Sequence, residues 1–456
     1  MKSTLGIDLG TSSVKLLVRH ADGRIEKARE PYEAKNPAGW LAALVRACRK
    51  IDLTCVDAVA LSAQVGTYVV NEQDVISWSD AAGLSELHEI KARYAQETFI
   101  REITMPHPDI VSYPLPRLAY MKKAYPVLES VCMPKELLIR YLTGSMVSDI
   151  YSWRGLANLD TGKYSRYFLD ELGIDEGVLP PLCLPTDLAG TVTCEAAQQT
   201  GLREGVSVYA GCNDYFAALL GTGIHQVGDL FDITGTSEHI GGITSSMLSY
   251  APPVSGRYFV DYVRYGVTGS SGASLDYAAR LWQGKVDIKA CREKKPPLFL
   301  PYLNGERCPV CDPDAKGVFF GISGGCDAEL MAYSIMEGVS FSLKQILQTL
   351  GVTGERIIVT GGAAQSDQLN QLKADILGIT VAALDEPDAS ALGAAMLAGI
   401  GAGAFADLKE AIDACVGSVR VFTPDAAYDD GGRYEMYKQM YPLLKDQFRK
   451  WKEIKS

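Results

Sequence analysis

Gly6-Ile7-Asp8-Leu9-Gly10-Thr11-Ser12, near the start of the chain, joins two apolar segments. The pattern predicts a buried strand over 4–9, a tight turn that begins at Gly10, and a second strand over 14–19. Asp22-Gly23 follows, a dipeptide that favours a two-residue hairpin turn. The chain is therefore expected to begin with strands joined by hairpins rather than with a strand followed by a helix.

This first loop has the residue types that a phosphate group requires. Gly10 lets backbone N–H donors approach phosphate oxygens with no Cβ in the way, and Thr11 and Ser12 add hydroxyl donors. Lys15 supplies a positive charge. Asp8 is placed to hold Mg²⁺, through water because this ion keeps much of its hydration shell. A plain hairpin turn after a strand that ends in Asp explains the same residues, so the loop alone leaves both interpretations open.

The loop has a counterpart in the middle of the chain. Ile233-Thr234-Gly235-Thr236-Ser237 follows another apolar strand and opens another run of strands, and a further glycine turn, Gly361-Gly362, ends a third strand. No GxxxxGK[ST] phosphate loop occurs, and both loops join strand to strand. Paired hairpin loops of this kind are typical of actin-like ATPases, in which two domains each contribute one loop to the nucleotide phosphates. The expected boundary lies near Gly228, which gives domains over 1–227 and 228–456.

Composition limits the class of protein. Strand-like and helical segments alternate along the 456 residues, which predicts an α/β protein of more than one domain. The net charge of −11 argues against sequence-independent binding of nucleic acid or of a membrane surface. No apolar run reaches the length of about 18 residues that a membrane span needs, and the start of the chain does not resemble a signal peptide. The eleven scattered cysteines are therefore expected to be reduced thiols of a cytoplasmic protein.

Longer motifs occur in a fixed order along nearly the whole chain. They are Gly211-Cys212-Asn213-Asp214, Phe299-Leu300-Pro301-Tyr302-Leu303-Asn304-Gly305-Glu306-Arg307, Asp312-Pro313-Asp314-Ala315-Lys316-Gly317, Met336-Glu337-Gly338-Val339-Ser340-Phe341, the block from Gly361 to Gly378, and the tail Phe422-Thr423-Pro424-Asp425. Together with the Gly6 to Ser12 run they resemble the FGGY carbohydrate kinases from end to end. The chain looks most similar to the xylulose kinase-like members of that family.

The resemblance implies two ribonuclease H-like (actin-like) domains that face a central cleft. The domain over 1–227 would bind the sugar, and the domain over 228–456 would bind adenosine. ATP, Mg²⁺ held by Asp8, and a small sugar or polyol are the implied ligands, and a homodimer is compatible with the family. Asp214 is implied to be the general base that takes the proton from the attacking hydroxyl. The residues implied to contact the nucleotide are Gly10, Thr11, Ser12, Lys15, Gly235, Thr236, Gly272, Gly361, Gly362 and Ser366.

The sugar-binding motifs depart from the family patterns. Xylulose kinases usually have Gln-Met-His-Gly where this chain has Gln64-Val65-Gly66-Thr67, and glycerol kinases have Arg-Glu where it has Val65-Gly66. The usual Trp-x-Asp-x-Arg is replaced by Trp78-Ser79-Asp80-Ala81-Ala82, without the arginine. Glycerol is therefore disfavoured as the substrate. The residues implied to bind the substrate are Gln64, Trp78, Asp80, Asp214 and Tyr215, and the altered pocket has Tyr113, Tyr215 and Glu238 as candidates to fill it.

Three interpretations of the function stay open at this stage. The first is phosphorylation of a ketopentose such as xylulose, and the second is phosphorylation of another polyol or of a sugar acid. The third is a non-catalytic protein, either an actin-like ATPase or a pseudokinase that senses a sugar. Glu238 favours the third interpretation, because a carboxylate directly after the second loop repels phosphate unless Mg²⁺ or a lysine offsets its charge.

Overall fold

The computed structural model describes residues 2–108, 110–235, 238–248, 254–384, 386, 388–417 and 419–454. The chain forms two compact units, and each unit is made from two separate segments. The first unit consists of Met1–His225 and Asp388–Val416, and the second consists of Gln226–Pro387 and Gly417–Ser456.

The first segment of the first unit is rich in short strands. They are β1 (Thr4–Leu9), β2 (Ser13–Arg19), β3 (Ile25–Pro31), β4 (Ala58–Ala63), β5 (Tyr68–Val70), β6 (Asp74–Ile76), β7 (Val131–Cys132), β8 (Ser148–Asp149), β9 (Ala157–Asn158), β10 (Lys163–Tyr164), β11 (Leu182–Cys183), β12 (Leu188–Thr191) and β13 (Ser207–Asn213). The helices are α1 (Pro37–Cys48), α2 (Leu84–Arg93), α3 (Gln96–Ile103), α4 (Pro114–Ala124), α5 (Pro134–Thr143), α6 (Arg166–Leu172), α7 (Cys194–Thr200) and α8 (Asp214–Gly221), with a 3₁₀ turn at Glu176–Val178.

The main sheet of the first unit has the strand order β12-β13-β4-β1-β2-β3. β1, β2 and β3 form an antiparallel meander, whereas β4 runs parallel to β1 and β13 runs parallel to β4. All residues of β1 and β4 are buried, which explains their nearly continuous apolar sequence. The predicted strands and the turn at Asp22-Gly23 are confirmed. Because β1, β4 and β13 are parallel, the residues that follow them meet at one edge of the sheet.

The next segment belongs to the second unit. Its strands are β14 (Leu230–Thr234), β15 (His239–Thr244), β16 (Val254–Tyr258), β17 (Asp261–Val267), β18 (Leu298–Leu300), β19 (Val318–Phe320), β20 (Arg356–Gly361) and β21 (Thr380–Leu384). Its helices are α9 (Ser271–Leu281), α10 (Ile288–Glu293), α11 (Ala328–Leu350) and α12 (Asp367–Leu377), with a 3₁₀ turn at Ala363–Gln365.

The chain then returns to the first unit with α13 (Ala389–Gly401) and α14 (Leu408–Cys415). α13 is rich in alanine and glycine because it packs at backbone distance on its neighbours. A Cβ on Gly6 would lie 1.8 Å from the carbonyl oxygen of Ala391, and a Cβ on Gly393 would lie 1.9 Å from that of Ala217. The expected domains over 1–227 and 228–456 stay a prediction, and the two compact units differ from them by placing 388–416 with the first unit. The close packing of small residues keeps 388–416 with β1 and α8.

The last segment completes the second unit with β22 (Val419–Phe422) and α15 (Arg433–Glu453). The main sheet of this unit has the order β16-β17-β15-β14-β20-β21-β22. Here β14, β15 and β17 are antiparallel neighbours, and β16 pairs antiparallel with β17 at one edge of the sheet. On the other side of β14, β20 and β21 follow in parallel, and β22 forms the other edge antiparallel to β21.

The two main sheets share one arrangement. In each, three antiparallel strands are followed by two parallel strands and an antiparallel edge strand, and the second sheet has β16 as an additional edge strand beyond β17. The β1–β2 connection at Gly10 and the β14–β15 connection at Gly235 occupy the same place in this arrangement. The two similar loops in the sequence therefore belong to two structurally similar units, and the α/β class is confirmed.

Candidate active site

The first loop is a tight connection whose middle residues are accessible. The Gly10 N–H donates to the carbonyl of Ser13 over 3.1 Å, and the Tyr32 N–H donates to that of Ser12 over 3.1 Å. The Tyr32 hydroxyl also donates to the carbonyl of Gly10. Gly10 is half-buried, whereas Thr11 and Ser12 are exposed. A Cβ on Gly10 would meet the Ser13 carbonyl at 3.5 Å, an ordinary contact, so packing within the protein does not require glycine here.

Asp8 is buried beside this loop. The Ser62 hydroxyl on β4 donates to Asp8 Oδ1 over 2.7 Å, because Asp8 and Ser62 are partners in the parallel β1–β4 pair. Burial raises the pKa of Asp8, and the hydrogen bond from Ser62, the charge of Lys15 and a hydrogen bond from Ser390 oppose that rise. Lys15 Nζ lies 3.3 Å from Oδ1 of Asp388 at the start of α13. One end of α13 thus contributes to the surroundings of Asp8.

Asp214 is the first residue of α8, directly after β13. A bulge in the β13–β4 pairing lies between Tyr209 and Cys212, and Gly211 within it has φ +65°, a conformation that favours glycine. A Cβ on Gly211 would lie 1.8 Å from the carbonyl oxygen of Leu61, so no other residue fits this bulge. Asn213 caps α8, since its side chain accepts from the Phe216 N–H over 2.9 Å. The Gly-Cys-Asn-Asp motif therefore encodes a strand end, a bulge and a helix start.

The carboxylates of Asp214 and Asp8 influence each other. Burial raises the pKa of Asp214 to about 7, and the negative charge of Asp8 adds to that rise. Hydrogen bonds from the backbone N–H groups of Tyr215 and Val65 oppose it. Asp214 is thus brought next to Asp8 and the Gln64-Val65 segment by the parallel order of β1, β4 and β13. A carboxylate whose pKa lies near neutrality can accept a proton at physiological pH.

Gln64 and Gly66 follow β4 at the same sheet edge. Gln64 is buried, and its N–H donates to the carbonyl of Leu9 over 2.9 Å. Gly66 has φ +81°, and a Cβ on it would lie 2.8 Å from Cβ of Ser112. Position 66, where xylulose kinases usually have histidine, therefore has neither the backbone conformation nor the space for a side chain.

Trp78 and Asp80 lie in a loop that is attached to this segment. The Trp78 N–H donates to the Thr67 hydroxyl over 3.2 Å, and the residue is 47% exposed, so Trp78 is not buried under the sheet. Asp80 is exposed, and its Oδ2 accepts from the Ser77 N–H over 2.7 Å. The structure therefore places Trp78 against Thr67, whereas the Asp80 carboxylate is engaged in a local turn with Ser77.

Arg117 on α4 is a residue that the sequence patterns did not single out. It is fully buried, and its guanidinium donates to the carbonyl oxygens of Ala82 over 2.6 Å, Ser77 over 2.8 Å and Asp80 over 2.9 Å. The loop that lacks the usual arginine at position 82 is therefore held by a guanidinium from another element. Its signal in the sequence was an arginine within an otherwise apolar helical stretch.

Arg154 is a second such residue. Its guanidinium lies 5.1 Å from the ring centroid of Phe216 and 5.7 Å from that of Tyr113, and it donates to the Tyr113 hydroxyl over 3.2 Å. Tyr215 packs beside Phe216, with 6.1 Å between the ring centroids. Tyr113 and Tyr215, both candidates for filling the altered pocket, are thus brought to the first turn of α8 beside Asp214.

In the second unit, Gly235 and the Gly361-Gly362 turn follow two neighbouring parallel strands. The Thr234 hydroxyl donates to the carbonyl of Thr360 over 2.9 Å and accepts from the Ala363 N–H over 3.0 Å. Gly361 has φ +95°, and a Cβ on it would lie 2.1 Å from the Thr234 carbonyl oxygen, whereas no atom lies within 4 Å of the Cβ position of Gly362. Gly235 and Gly362 are exposed. Thr236, predicted to contact the nucleotide, lies outside the described residues, as does Ser237.

Gly272 and Ser366 both lie at helix starts in this unit. Gly272 is in the first turn of α9, and Ser366 caps α12 by accepting from the Leu369 N–H over 3.3 Å. Glu306, from the longest family motif, is buried, and its Oε1 accepts from the Gly269 N–H over 2.5 Å. Burial raises the pKa of Glu306 to about 7. This carboxylate therefore binds the backbone of the segment that leads into α9.

Glu238 does not face open space. Its carboxylate and that of Asp232 both bind Lys373 of α12, with Nζ 2.5 Å from Glu238 Oε1 and 2.5 Å from Asp232 Oδ2. All three side chains are at most 1% exposed. A lysine thus offsets the charge of Glu238, which removes the sequence-based objection to phosphate binding. The same contact excludes Glu238 as a residue that fills the sugar pocket.

Asp8 of the first unit fits a magnesium ion that arrives with ATP. Mg²⁺ is commonly held by one or two carboxylates together with substrate phosphates and water. Asp8 provides such a carboxylate beside the first loop, where its Oδ2 lies 4.0 Å from the Cβ position of Gly10. Within the described part of the chain, no group of three or more His, Cys, Asp or Glu side chains could hold a metal ion by itself.

Comparison with known proteins gives the family. Models of the N-terminal and C-terminal domains of the FGGY family of carbohydrate kinases match residues 3–221 and 268–402. The chain belongs to the FGGY family of carbohydrate kinases. It is therefore a sugar kinase, an enzyme whose phosphoryl donor is ATP.

Individual relatives are more distant. Xylulose kinase of Bacillus subtilis is 27% identical over 498 aligned residues that cover 98% of both proteins. Among solved structures, xylulose kinase of Lactobacillus acidophilus superposes with a TM-score of 0.86 at 23% identity, over 99% of this chain and 100% of that one. Gluconate kinase of Lactobacillus acidophilus superposes with a TM-score of 0.85 at 23% identity, over 99% of both chains. The structural similarities confirm the two-domain actin-like fold. No helix within the described residues is long and apolar enough to span a membrane.

Proposed function

We propose that this kinase transfers the γ-phosphoryl group of ATP to a terminal hydroxyl of a ketopentose of the xylulose type. The observation that carries the proposal is the position of Asp214, which the Gly211 bulge and the Asn213 cap hold beside Asp8 at the start of α8. The names of the relatives support the ketopentose, since xylulose kinases are found both among the sequence relatives and among the structural neighbours.

Asp214 acts as the general base in this proposal. Its carboxylate orients the attacking hydroxyl and accepts its proton as the oxygen attacks the γ-phosphorus, and the bond from that phosphorus to the bridging oxygen of ADP breaks. Phosphoryl transfer depends mainly on positioning and on charge stabilisation, so a carboxylate held by the backbone N–H groups of Val65 and Tyr215 suits the role. Asp8 would hold Mg²⁺, and the bound ion would supply positive charge that neutralises the developing charge on the phosphates.

The nucleotide is assigned to two sets of residues, one in each unit. Gly10, Thr11, Ser12 and Lys15 supply backbone, hydroxyl and ammonium donors in the first unit. Gly235, Thr236, Gly272, Gly361, Gly362 and Ser366 form the set in the second unit. The accessibility of Gly10 and Gly362, where the fold itself has room for a Cβ, supports direct contact of their backbone with the nucleotide.

The sugar is assigned to Gln64, Trp78, Asp80 and Tyr215 together with Asp214. A second substrate class, the sugar acids, is kept for two reasons. Gly66 lies so close to Ser112 that the usual histidine has no room there. In addition, a gluconate kinase is among the structural neighbours. A non-catalytic role loses its main support, since Lys373 accounts for the charge of Glu238.

The proposal is tested by measuring ADP release with Mg-ATP and a panel of ketopentoses, polyols and aldonates. The expected result is stimulation by a ketopentose that exceeds stimulation by glycerol and by gluconate, with one phosphate ester formed per ADP. Strongest stimulation by an aldonate would replace the ketopentose with a sugar acid. ADP release that no compound of the panel increases would overturn the proposed function, and binding of a sugar without ester formation would favour the sensor.

A further inference from the structure

The buried cluster Lys373–Asp232–Glu238 joins the elements that carry the nucleotide residues of the second unit. Asp232 lies in β14, two residues before Thr234, and Glu238 directly precedes β15. Lys373 lies in the second half of α12, the helix that Ser366 caps. One ammonium group therefore holds the end of β14, the start of β15 and the body of α12 together.

The contacts of Glu238 extend this connection to α9. Its N–H donates to the Thr268 hydroxyl over 2.9 Å, and its carbonyl accepts from the Thr268 N–H over 3.0 Å. The next residue, Gly269, donates to Glu306 and leads into the first turn of α9 with Gly272. Glu238 therefore connects the loop after β14 with the helix start at which Gly272 lies.

Thr234 makes the corresponding connection to the Gly361-Gly362 turn. Its hydroxyl donates to the Thr360 carbonyl and accepts from the Ala363 N–H. Its carbonyl oxygen lies against Gly361, 2.1 Å from where a Cβ of that residue would be. All described residues of the second unit that are assigned to the nucleotide thus belong to segments that Lys373, Glu238 or Thr234 hold together.

Burial of this cluster costs the desolvation free energy of its charged groups, which indicates a role other than packing. Burial and the charge of Glu238 raise the pKa of Asp232 well above its usual range, while the two carboxylates keep Lys373 protonated. Apolar side chains of similar volume commonly stabilise a core as well as a buried ion cluster does. A charged cluster instead fixes one geometry, because an ammonium group binds its partners only at short distance.

We propose that Lys373 is a positioning residue for the ATP phosphates: by binding Asp232 of β14 and Glu238, which directly precedes β15, it fixes the described segments before and after the second loop relative to each other and to α12. The inference rests on the proposed nucleotide assignment. Lys373 does not contact the phosphates directly in this proposal, because its ammonium group is fully buried and binds the two carboxylates.

The test separates the phosphates from the nucleoside by calorimetric titration with a non-hydrolysable ATP analogue and with adenosine. Lys373→Met is expected to weaken binding of the analogue about tenfold or more while the affinity for adenosine changes less than about twofold. Lys294→Met is the matched control, because Lys294 forms an exposed pair with Asp327 in the same unit, 3.8 Å apart. Its two affinities are expected to equal those of the wild type.

Lys373→Met leaves two buried carboxylates, so a second variant protects the test against loss of folding. Glu238→Ala keeps the Lys373–Asp232 pair and removes only the contact on the β15 side of the loop. It is expected to show the same selective loss for the analogue at a near-wild-type melting temperature. Equal losses for both ligands, or no loss in Glu238→Ala, would overturn the positioning role while the wild type still phosphorylates its sugar. A wild type that binds neither ligand would overturn both the inference and the nucleotide assignment.

Discussion

Gly66 and Ser112 are so close that a Cβ on residue 66 would lie 2.8 Å from the serine Cβ. Gly66 also has φ +81°, outside the conformations that residues with side chains favour. The contact connects the Gln64 segment after β4 with the loop before α4, and both positions belong to the sugar side of the proposed site. Glycine at the position of the usual histidine thus allows close contact with Ser112, and a side chain at 66 requires Ser112 to move away.

Gly66→Ala is therefore expected to destabilise the protein by about 2–4 kcal/mol, from left-handed strain together with the clash on Ser112. Gly23→Ala is the matched control, since Gly23 has φ +89° but no atom within 4 Å of its Cβ position. The control should cost only about 1–2 kcal/mol, the strain alone. Urea unfolding measures both values, and equal destabilisation would contradict the close contact at Gly66.

Asp214→Asn is expected to abolish turnover while leaving nucleotide affinity nearly unchanged. The amide keeps the shape of the side chain but cannot accept the proton of the attacking hydroxyl, a loss of about 10²–10⁴-fold or more in kcat. Glu195→Gln is the control, because Glu195 is an exposed acid in the first turn of α7. Sugar-stimulated ADP release measures turnover, and a variant that retains it would exclude Asp214 as the base.

Gly362→Ala and Gly361→Ala are expected to fail in different ways. At Gly362 the fold has room for a Cβ, so the variant should keep its melting temperature and lose nucleotide affinity about tenfold, because the methyl group holds adenosine away from the backbone. At Gly361 a Cβ would lie 2.1 Å from the Thr234 carbonyl oxygen, so the variant should lose stability. Thermal unfolding with and without an ATP analogue distinguishes the two, and unaltered affinity in Gly362→Ala would argue against contact at that residue.

Arg117→Met is expected to destabilise the first unit by about 2–4 kcal/mol, since three carbonyl groups lose a charged donor that is itself fully buried. Because those carbonyls belong to the loop with Trp78 and Asp80, KM for the sugar should rise more than KM for ATP. Arg101→Met offers a comparison, as Arg101 is exposed and pairs with Glu102. Equal changes in the two KM values would show that the loop does not contribute to sugar binding.

His239 provides a prediction for acid stability. Burial, with the charge of Arg307 as a second cause, lowers its pKa from 6.5 to about 4. The unfolded chain therefore binds a proton below about pH 6.5 that the folded chain accepts only near pH 4, so protonation favours unfolding in this window. Between pH 6.5 and pH 4 the wild type should lose on the order of 3 kcal/mol of unfolding free energy through His239, and His239→Gln should not show this loss. Urea unfolding at several pH values measures this, and parallel curves for wild type and variant would contradict it.

Local patterns in the sequence predicted much of the nucleotide side. The strand over 4–9, the turn at Gly10 and the similar loop at Gly235 are consequences of apolar runs and glycine positions, which act between neighbours in the chain. The motif that ends in Asp214 likewise encodes its own bulge and helix cap. For these features the residues that determine the geometry lie within a few positions of one another.

Contacts between distant segments were decided only by the tertiary structure. Lys373 is 135 residues from Glu238, and Arg117 is 35 residues from Ala82, so no spacing in the sequence connects them. The return of 388–416 to the first unit depends on α13 fitting at backbone distance against β1 and α8. The amino-acid sequence by itself determined the two similar hairpin loops and the family, because short motifs specify them. Sheet order and close packing decided how Glu238 is neutralised and why position 66 has no side chain, because those outcomes depend on which distant residues the fold brings into contact.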